Sequence, residues 1–293
     1  MEHLTVNVDD RAVEAIVSGP ETGLPLVFHH GTPMANVQFG PFVEAATERG
    51  LRTITYSRPG YGASGRDAGR TVADAARDTA AILDALGSHR CVTLGWSGGG
   101  PHALACAALL PDRVAACATI AGVGAFDVDD LDFLAGMGEA NVEEFGYAIA
   151  GDDEGLTRFL EAYVEETRVA TPEGMIESLR SLLPPIDVEA LRDELGWFFV
   201  ESDEEAFRNG IWGWFDDDQA FVRPWGFDLS SMRVPVTIWQ GEQDLMVPIA
   251  HGRWLTSRIP GAQAELRAAY GHISLAVGRF GDILDGLVAQ AGP

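Results

Sequence analysis

Residues 91–104 read CVTLGWSGGGPHAL. An apolar run stops abruptly at a serine surrounded by four glycines, and an alanine-rich stretch comes next. The run is short enough for a buried strand, and the alanine-rich stretch has the composition of a helix. Gly95-Trp96-Ser97-Gly98-Gly99 therefore fits G-x-S-x-G between a predicted strand and a predicted helix, the context that this motif requires. The reason is steric. A sharp strand-to-helix turn forces the serine into a strained backbone conformation, and the flanking backbones pass too close for a Cβ. Glycine at 95 and 99 removes the clash. The hydroxyl is lifted to the helix N-terminus, where the Gly98 N–H and the helix dipole favour a negative oxygen. A glycine-rich phosphate loop is the competing reading. A Walker loop needs a Gly-Lys pair, and the chain contains no lysine.

A serine hydroxyl is a weak nucleophile until a base takes its proton, and the base needs a carboxylate to orient it. Both occur late in the chain. WQGEQDLMVP places Asp244 just beyond a buried strand, and YGHISL places His272 just beyond the next one, between glycines. Ser, Asp, His is the order that goes with a nucleophile elbow. All three fall at the C-terminal edge of predicted strands, where open α/β sheets hold their ligands. Asp127 and Glu242 are rival acid positions. His102 and His251 lie inside helical patterns and fit the base less well.

Outward from the elbow, short β-branched runs alternate with helical patterns. LTVNV from Leu4 and AVEAIVS from Ala12 form a hairpin around a DDR turn. Strands follow at PLVFHHG (Pro25), RTITYS (Arg52), CVTLGW (Cys91), RVAACATIAG (Arg113), VPVTIWQG (Val234) and AELRAAYG (Ala264). Thr71 is a fitting N-cap for a helix ending at Gly87, with Asp74 in its first turn. Further helices are expected from Ile249 to Arg258 and from Ser274 to Gln290. Alternating strands and helices indicate an α/β fold, a mostly parallel, twisted, eight-stranded sheet flanked by helices, with an antiparallel leading edge. Between 122 and 233 the strand signals vanish and acidic, helical patterns take over. A structureless loop of that length is implausible. The expectation is a core of residues 1–121 and 234–293 carrying a mostly helical inserted cap, 122–233. Its aromatics cluster at GWFF and WGWF, so Trp197, Trp212 and Trp214, together with Trp96 beside the nucleophile, are candidates for lining a substrate pocket. Packing as cap core is the competing role for them.

The formal charge of -24 disfavours nucleic acid and anionic membranes as partners. No apolar stretch approaches the length of a membrane span, and MEHLTVNVDDR has no apolar leader region. Cys91, Cys106 and Cys117 are odd in number and lie in apolar segments, as buried free thiols of a reducing, cytoplasmic setting do. Asp216-Asp217-Asp218 lacks the accompanying ligand spacing of a metal site, so neither metal nor cofactor is expected. The expected partner is a small-molecule substrate, with the chain as monomer or homodimer.

Together these motifs resemble the α/β-hydrolase superfamily over essentially the whole chain, in its serine-nucleophile branch with a helical cap. HHGTP (His29 to Pro33) looks like the family's His-Gly oxyanion motif. By that match Thr32 supplies one oxyanion-hole N–H, Gly98 the other, and His30 braces the loop. YSRPGYGAS is similar to the family's D-R-P-G-x-G-x-S loop, but Ser57 stands where Asp is common. A local carboxylate for Arg58 is therefore expected to be missing. Haloalkane dehalogenases and soluble epoxide hydrolases of this fold use an Asp nucleophile, whereas this elbow carries Ser97. Proline iminopeptidases use acidic cap residues to hold a free amine. Glu165, Glu166 and Glu204 permit that idea, while HGTP differs from their HGGPG. The expected activity is cofactor-free hydrolysis of a small apolar ester or lactone through an acyl-enzyme. Amide hydrolysis, carbon–carbon bond hydrolysis and a non-turnover ligand sensor remain open as alternatives.

Overall fold

Strand β5, Cys91–Trp96, is buried along its whole length. A strand apolar on both faces must be covered on both, which is the setting of a parallel sheet between helical layers. The sheet has eight strands in the order β1 (Glu2–Val8), β2 (Arg11–Ser18), β4 (Leu51–Tyr56), β3 (Leu24–His29), β5, β6 (Val114–Ile120), β7 (Val236–Gly241) and β8 (Gln263–Arg267). The β1–β2 and β2–β4 pairs are antiparallel, and the rest are parallel. The mostly parallel sheet with a leading hairpin is thus the observed one. The structure, a computed structural model, describes residues 1–126, 128–167 and 171–292. The rival acid Asp127 lies outside the described residues.

Helices α1 (Gly40–Glu48) and α11 (His272–Ala291) pack on one face, with Ile273, Ile283 and Leu287 in that core. Helices α2 (Ala75–Ala85), α3 (Gly99–Leu109) and α10 (Ile249–Arg258) pack on the other, around Ile82, Leu104 and Leu255. Ahead of α2, the Thr71 N–H donates to the Asp74 carboxylate at 2.8 Å, capping a single 3-10 turn over Val72–Asp74. Between β6 and β7 the described residues form no strand. They form α4 (Glu139–Ala150), α5 (Asp153–Thr167), α6 (Pro172–Ser178), α7 (Pro185–Ala190), α8 (Glu194–Ala206) and α9 (Trp212–Phe221). Leu156 and Leu160 of α5, Trp214 of α9 and Ile211 just before it share a small core with Ala35 and Tyr61 from the loops after β3 and β4. The inserted helices are therefore packed onto the loop after β3, which carries the candidate oxyanion residue Thr32, and onto the loop after β4.

Two boundaries differ from the expectation. Strand β8 stops at Arg267, and its residues are only partly buried, as befits an edge strand. Helix α11 begins at His272, two residues before Ser274. The cause is Asp187 on α7, whose carboxylate accepts from the His272 N–H at 2.7 Å and the Ser274 N–H at 2.8 Å. A carboxylate there satisfies two of the orphan donors of a helix N-terminus and favours the positive end of its dipole. His272 is fixed at the first position of a long helix instead of in a free loop.

Candidate active site

Ser97 has φ +55, one of three described non-glycine residues with positive φ. Such a conformation costs about 1–3 kcal/mol and persists only where the surroundings over-determine it. Here the Ser97 N–H donates to the Ile120 carbonyl of β6 at 2.8 Å, and the Gly100 N–H donates to the Ser97 carbonyl at 2.9 Å. A Cβ at Gly95 would run into the Gly99 carbonyl, and one at Gly99 into the His29 carbonyl. Gly95 lets helix α3 turn back close against strand β5, and Gly99 lets the start of α3 approach the end of strand β3.

His272 Nδ1 lies 2.8 Å from Asp244 Oδ2. The other Asp244 oxygen accepts from the Met246 N–H at 2.9 Å and the Val247 N–H at 2.8 Å. Gln240 Nε2 donates to Asp244 Oδ2 at 3.0 Å. With all its lone pairs engaged, the carboxylate has a single orientation. Burial raises the Asp244 carboxyl, a shift that the neighbouring His272 partly offsets. Burial alone would lower His272, but the charge and hydrogen bond of Asp244, helped by Asp187, outweigh it and raise it above its ordinary 6.5. Trp96 is buried behind the ring, its centroid 6.3 Å from that of His272. Ser97 and His272 line one cavity, and no hydrogen bond joins them among the described residues. In unliganded sites this contact is often long and tightens only on binding.

Thr32 and Gly98 border the same cavity. Neither backbone N–H has a protein acceptor among the described residues. A Cβ at Gly98 would overlap Thr32 Oγ1, so the two segments are in close contact. The Thr32 loop is clamped by Arg58. That guanidinium donates to the His30 carbonyl at 2.5 Å, the Gly31 carbonyl at 2.8 Å and Thr32 Oγ1 at 2.9 Å. His30 Nε2 accepts from the Arg58 N–H at 3.4 Å, while Nδ1 sits 2.8 Å from the Gly31 carbonyl. Burial holds His30 neutral, so the proton belongs on Nδ1.

Among the described residues the loop itself supplies Arg58 with no carboxylate, and the inserted helices supply one. The partner is Asp217 on α9, at 2.6 Å from Arg58 Nη2. Asp217 also accepts from Thr32 Oγ1 at 2.6 Å, Tyr61 Oη at 2.9 Å and Arg70 at 2.7 Å. Burial would raise this carboxyl, but Arg58 and Arg70 outweigh it and hold it well below the usual range. Ser57, at the position where the family's Asp is common, donates instead to Glu14 on β2 at 2.8 Å. Of the other two acids in the Asp triplet, Asp216 pairs with Arg66 at 2.8 Å and Asp218 faces the cavity.

The cavity over Ser97 is about 140 Å³, close to the ~150 Å³ that accommodates a benzene ring in an apolar protein interior. Met34, Val123, Phe145, Phe159, Met175 and Phe221 make it largely apolar. Trp96 and Trp214 line it. Trp197 and Trp212 do not and are corrected as pocket candidates. Trp197 is 59% exposed, and Trp212 lies 4.1 Å under the Arg66 guanidinium at the surface. Glu165, Glu166 and Glu204 are exposed as well. The acids that do reach the cavity are Glu144, Asp203 and Asp218.

Among the described residues none of the rivals Glu242, His102 and His251 lines the cavity. Glu242 is exposed, 3.9 Å from Arg253. His251 links the Gly124 N–H to the Phe133 carbonyl, and His102 Nδ1 bonds the Gly98 carbonyl at 2.8 Å. Burial pushes the thiols of Cys91 and Cys117 up to about 12, so neither is a thiolate at neutral pH. Sequence reading missed Asp187 and Asp217. They lie 85 residues before His272 and 159 after Arg58, on helices whose placement no local pattern reveals. If Asp187 fixes the start of α11, Asp187→Ala should lower stability by about 1–2 kcal/mol in urea denaturation. An unchanged midpoint would show that water replaces the cap without cost.

A family model described as "alpha/beta hydrolase fold" matches residues 25–278. The chain is 25% identical over 275 residues to the "Uncharacterized hydrolase YcgS" of Bacillus subtilis (strain 168), spanning 92% of this chain and 91% of that one. It is 26% identical over 238 residues to a non-heme chloroperoxidase of Burkholderia pyrrocinia, spanning 79% and 78%. Among solved structures, a bromoperoxidase from Bacillus anthracis superposes with TM-score 0.72 at 19% identity, covering 99% of each chain. The esterase RhEst1 from Rhodococcus sp. ECU1013 superposes with TM-score 0.66 at 22% identity, covering 100% of each. At these identities the structural likeness is one of fold.

Proposed function

This chain belongs to the alpha/beta hydrolase fold family and is a hydrolase of that fold, and from that premise we propose that it hydrolyses small, largely apolar carboxylic esters or lactones through an acyl-enzyme on Ser97. The observation that carries the reading is the strained Ser97 elbow opening into the same cavity as His272, whose Nδ1 is 2.8 Å from Asp244. Strain of this kind on a non-glycine residue clusters at functional sites, and beside a buried His–Asp pair it fits nucleophilic catalysis.

In this reading Ser97 Oγ attacks the carbonyl carbon while His272 Nε2 takes its proton. Asp244 holds the imidazole in the Nδ1–H tautomer and stabilises the cation that forms. The oxyanion meets the N–H groups of Thr32 and Gly98. Collapse of the intermediate expels the alcohol, protonated by His272, and leaves the acyl group on Ser97. Water, deprotonated by His272, then repeats the attack and frees the acid. The apolar lining favours the acyl chain, and relatives named as esterases and an enol-lactonase share the fold.

A panel of p-nitrophenyl esters, lactones and aminoacyl anilides tests the substrate class. Turnover of esters or lactones, with an initial burst of p-nitrophenol, is expected. Turnover of anilides alone, or of none, would contradict it.

The pH profile follows from His272. Only the neutral imidazole accepts the Ser97 proton, and the pKa of His272 is raised above 6.5. The rate therefore falls as pH drops through a value above 6.5. The acid limb of kcat/KM should have its midpoint there. A midpoint below 6.5 would mean that Asp244 does not stabilise the protonated ring in the working enzyme.

A further inference from the structure

The inserted helices bring three carboxyls to the cavity wall: Glu144 on α4, Asp203 on α8 and Asp218 on α9. Two have donors. Glu144 accepts from Trp214 Nε1 at 2.7 Å, and Asp203 accepts from Tyr163 Oη at 3.1 Å. Asp218 is different. It is fully buried, and neither oxygen has a hydrogen-bond donor among the described residues. Its neighbour is Glu144, another acceptor. Two carboxyls can bond to each other only by holding a proton between them.

Resting on the serine-hydrolase reading above, we propose that this wall is a subsite for a protonated amine, so that the ester or lactone cleaved at Ser97 carries an ammonium group. The charges of the cluster support it. Arg58 and Arg70 both pair with Asp217, and Arg66 pairs with Asp216. Among the described residues no guanidinium pairs with Glu144, Asp203 or Asp218. An ammonium has three N–H donors and no acceptor, the complement of a wall with lone pairs and few donors. A neutral alkyl chain seated there would donate nothing to the wall, and the lone pairs of Asp218 not used by a proton held with Glu144 would stay unfilled, which is costly. The described residues contain no group of three ligands suited to a metal ion. The surrounding Met137, Phe159 and Met175 would pack the carbon skeleton that joins the amine to the carbonyl.

The protonation of the wall agrees with this. Burial pushes Glu144 and Asp203 up to about 7, each partly offset by its own donor. Burial, followed by the charges of Glu144 and Asp217, raises Asp218 well above the ordinary carboxyl, with Arg70 opposing. Without a cation these carboxyls keep protons near neutrality. An ammonium takes over the role of the proton, which leaves to solvent as the amine binds.

Calorimetry with benzylamine hydrochloride and its neutral analogue benzyl alcohol, at pH 7 in buffers of different ionisation enthalpy, tests the subsite on the wild-type chain and on Ser97→Ala. Benzylammonium should bind at least about tenfold more tightly than benzyl alcohol, with release of a proton. Asp218→Asn and Glu144→Gln should each remove most of that preference. Equal binding of the two probes, or no binding of benzylammonium by the wild type, overturns the proposal. In parallel, p-nitrophenyl 6-aminohexanoate should be cleaved with a higher kcat/KM than p-nitrophenyl heptanoate. Cleavage of heptanoate without that preference removes the subsite and leaves the hydrolase. Selective, proton-releasing benzylammonium binding with no ester cleaved keeps the subsite and removes the hydrolase.

Discussion

Replacing Ser97 by alanine should lower kcat on a short p-nitrophenyl ester by about 10⁴- to 10⁶-fold without unfolding the protein. The hydroxyl is the group removed, and no described hydrogen bond of the fold depends on it, because Ser97 is tied to the sheet and the turn through its backbone. Asp244 and His272 remain paired, so the activity that survives comes from oxyanion stabilisation and binding alone. Ser97→Gly separates the strain from the chemistry. Alanine keeps the Cβ at φ +55, whereas glycine occupies this region freely. Glycine also loses more chain entropy on folding. On balance Ser97→Gly should be about 0.5–1 kcal/mol more stable than Ser97→Ala and equally inactive. A variant at Ser97 that retained the wild-type rate would show that the strained turn serves something other than nucleophilic attack.

Asp217→Ala should be the most destabilising single change in the site, by about 3–5 kcal/mol. The side chain is buried and receives Arg58, Arg70, Tyr61 and Thr32 at 2.6–2.9 Å. Removing it strands two guanidiniums in the interior. Burial would then count against both, with only backbone carbonyls, Thr32 and ring faces left around them. The effect on rate follows from the same contacts. Arg58 holds the His30 and Gly31 carbonyls, and Thr32 is tied to both Arg58 and Asp217. In the proposed mechanism a loosened Thr32 N–H would miss the oxyanion, and the loss of one such donor costs about 10²–10³ in kcat. Asp217→Asn keeps the volume and can still accept from Thr32 and Tyr61, so its losses should be smaller in both respects. Urea midpoints and kcat measured on the two variants give the answer. If Asp217→Ala matched the wild type in both, the network would be packing without consequence for the oxyanion loop.

The elbow was legible because its physics is local. Gly95 and Gly99 stand four apart around one turn, and Gly95 separates the backbones of the adjoining strand and helix, although the clash that Gly99 avoids is with His29 on the neighbouring strand. Asp244 and His272 were legible because each follows a strand whose apolar run marks its own end. The contacts that join the inserted helices to that frame were not. Asp217 reads as the middle of an acidic triplet, and in sequence nothing separates its buried pairing with Arg58 and Arg70 from the surface pairing of Asp216 with Arg66. Asp187 reads as an ordinary first-turn acid of its own helix, although its carboxylate caps a different helix. The same limit explains the tryptophans. Trp212 and Trp214 differ by two positions, which on a helix turns the side chain through about 200°. One faces the cavity and the other faces solvent. Position on the helix decides this, and helix rotation is set by packing across the whole insert.

The central claim, that Ser97 is an activated nucleophile, is tested most directly by mass spectrometry after treatment with a fluorophosphonate. Tryptic cleavage after Arg90 and Arg113 releases residues 91–113, in which Ser97 is the only serine. We predict one phosphonyl adduct per chain, located at Ser97 and formed far more slowly in His272→Ala. Ester hydrolysis by a chain that carries no adduct at Ser97, or labelling at another residue instead, would contradict it.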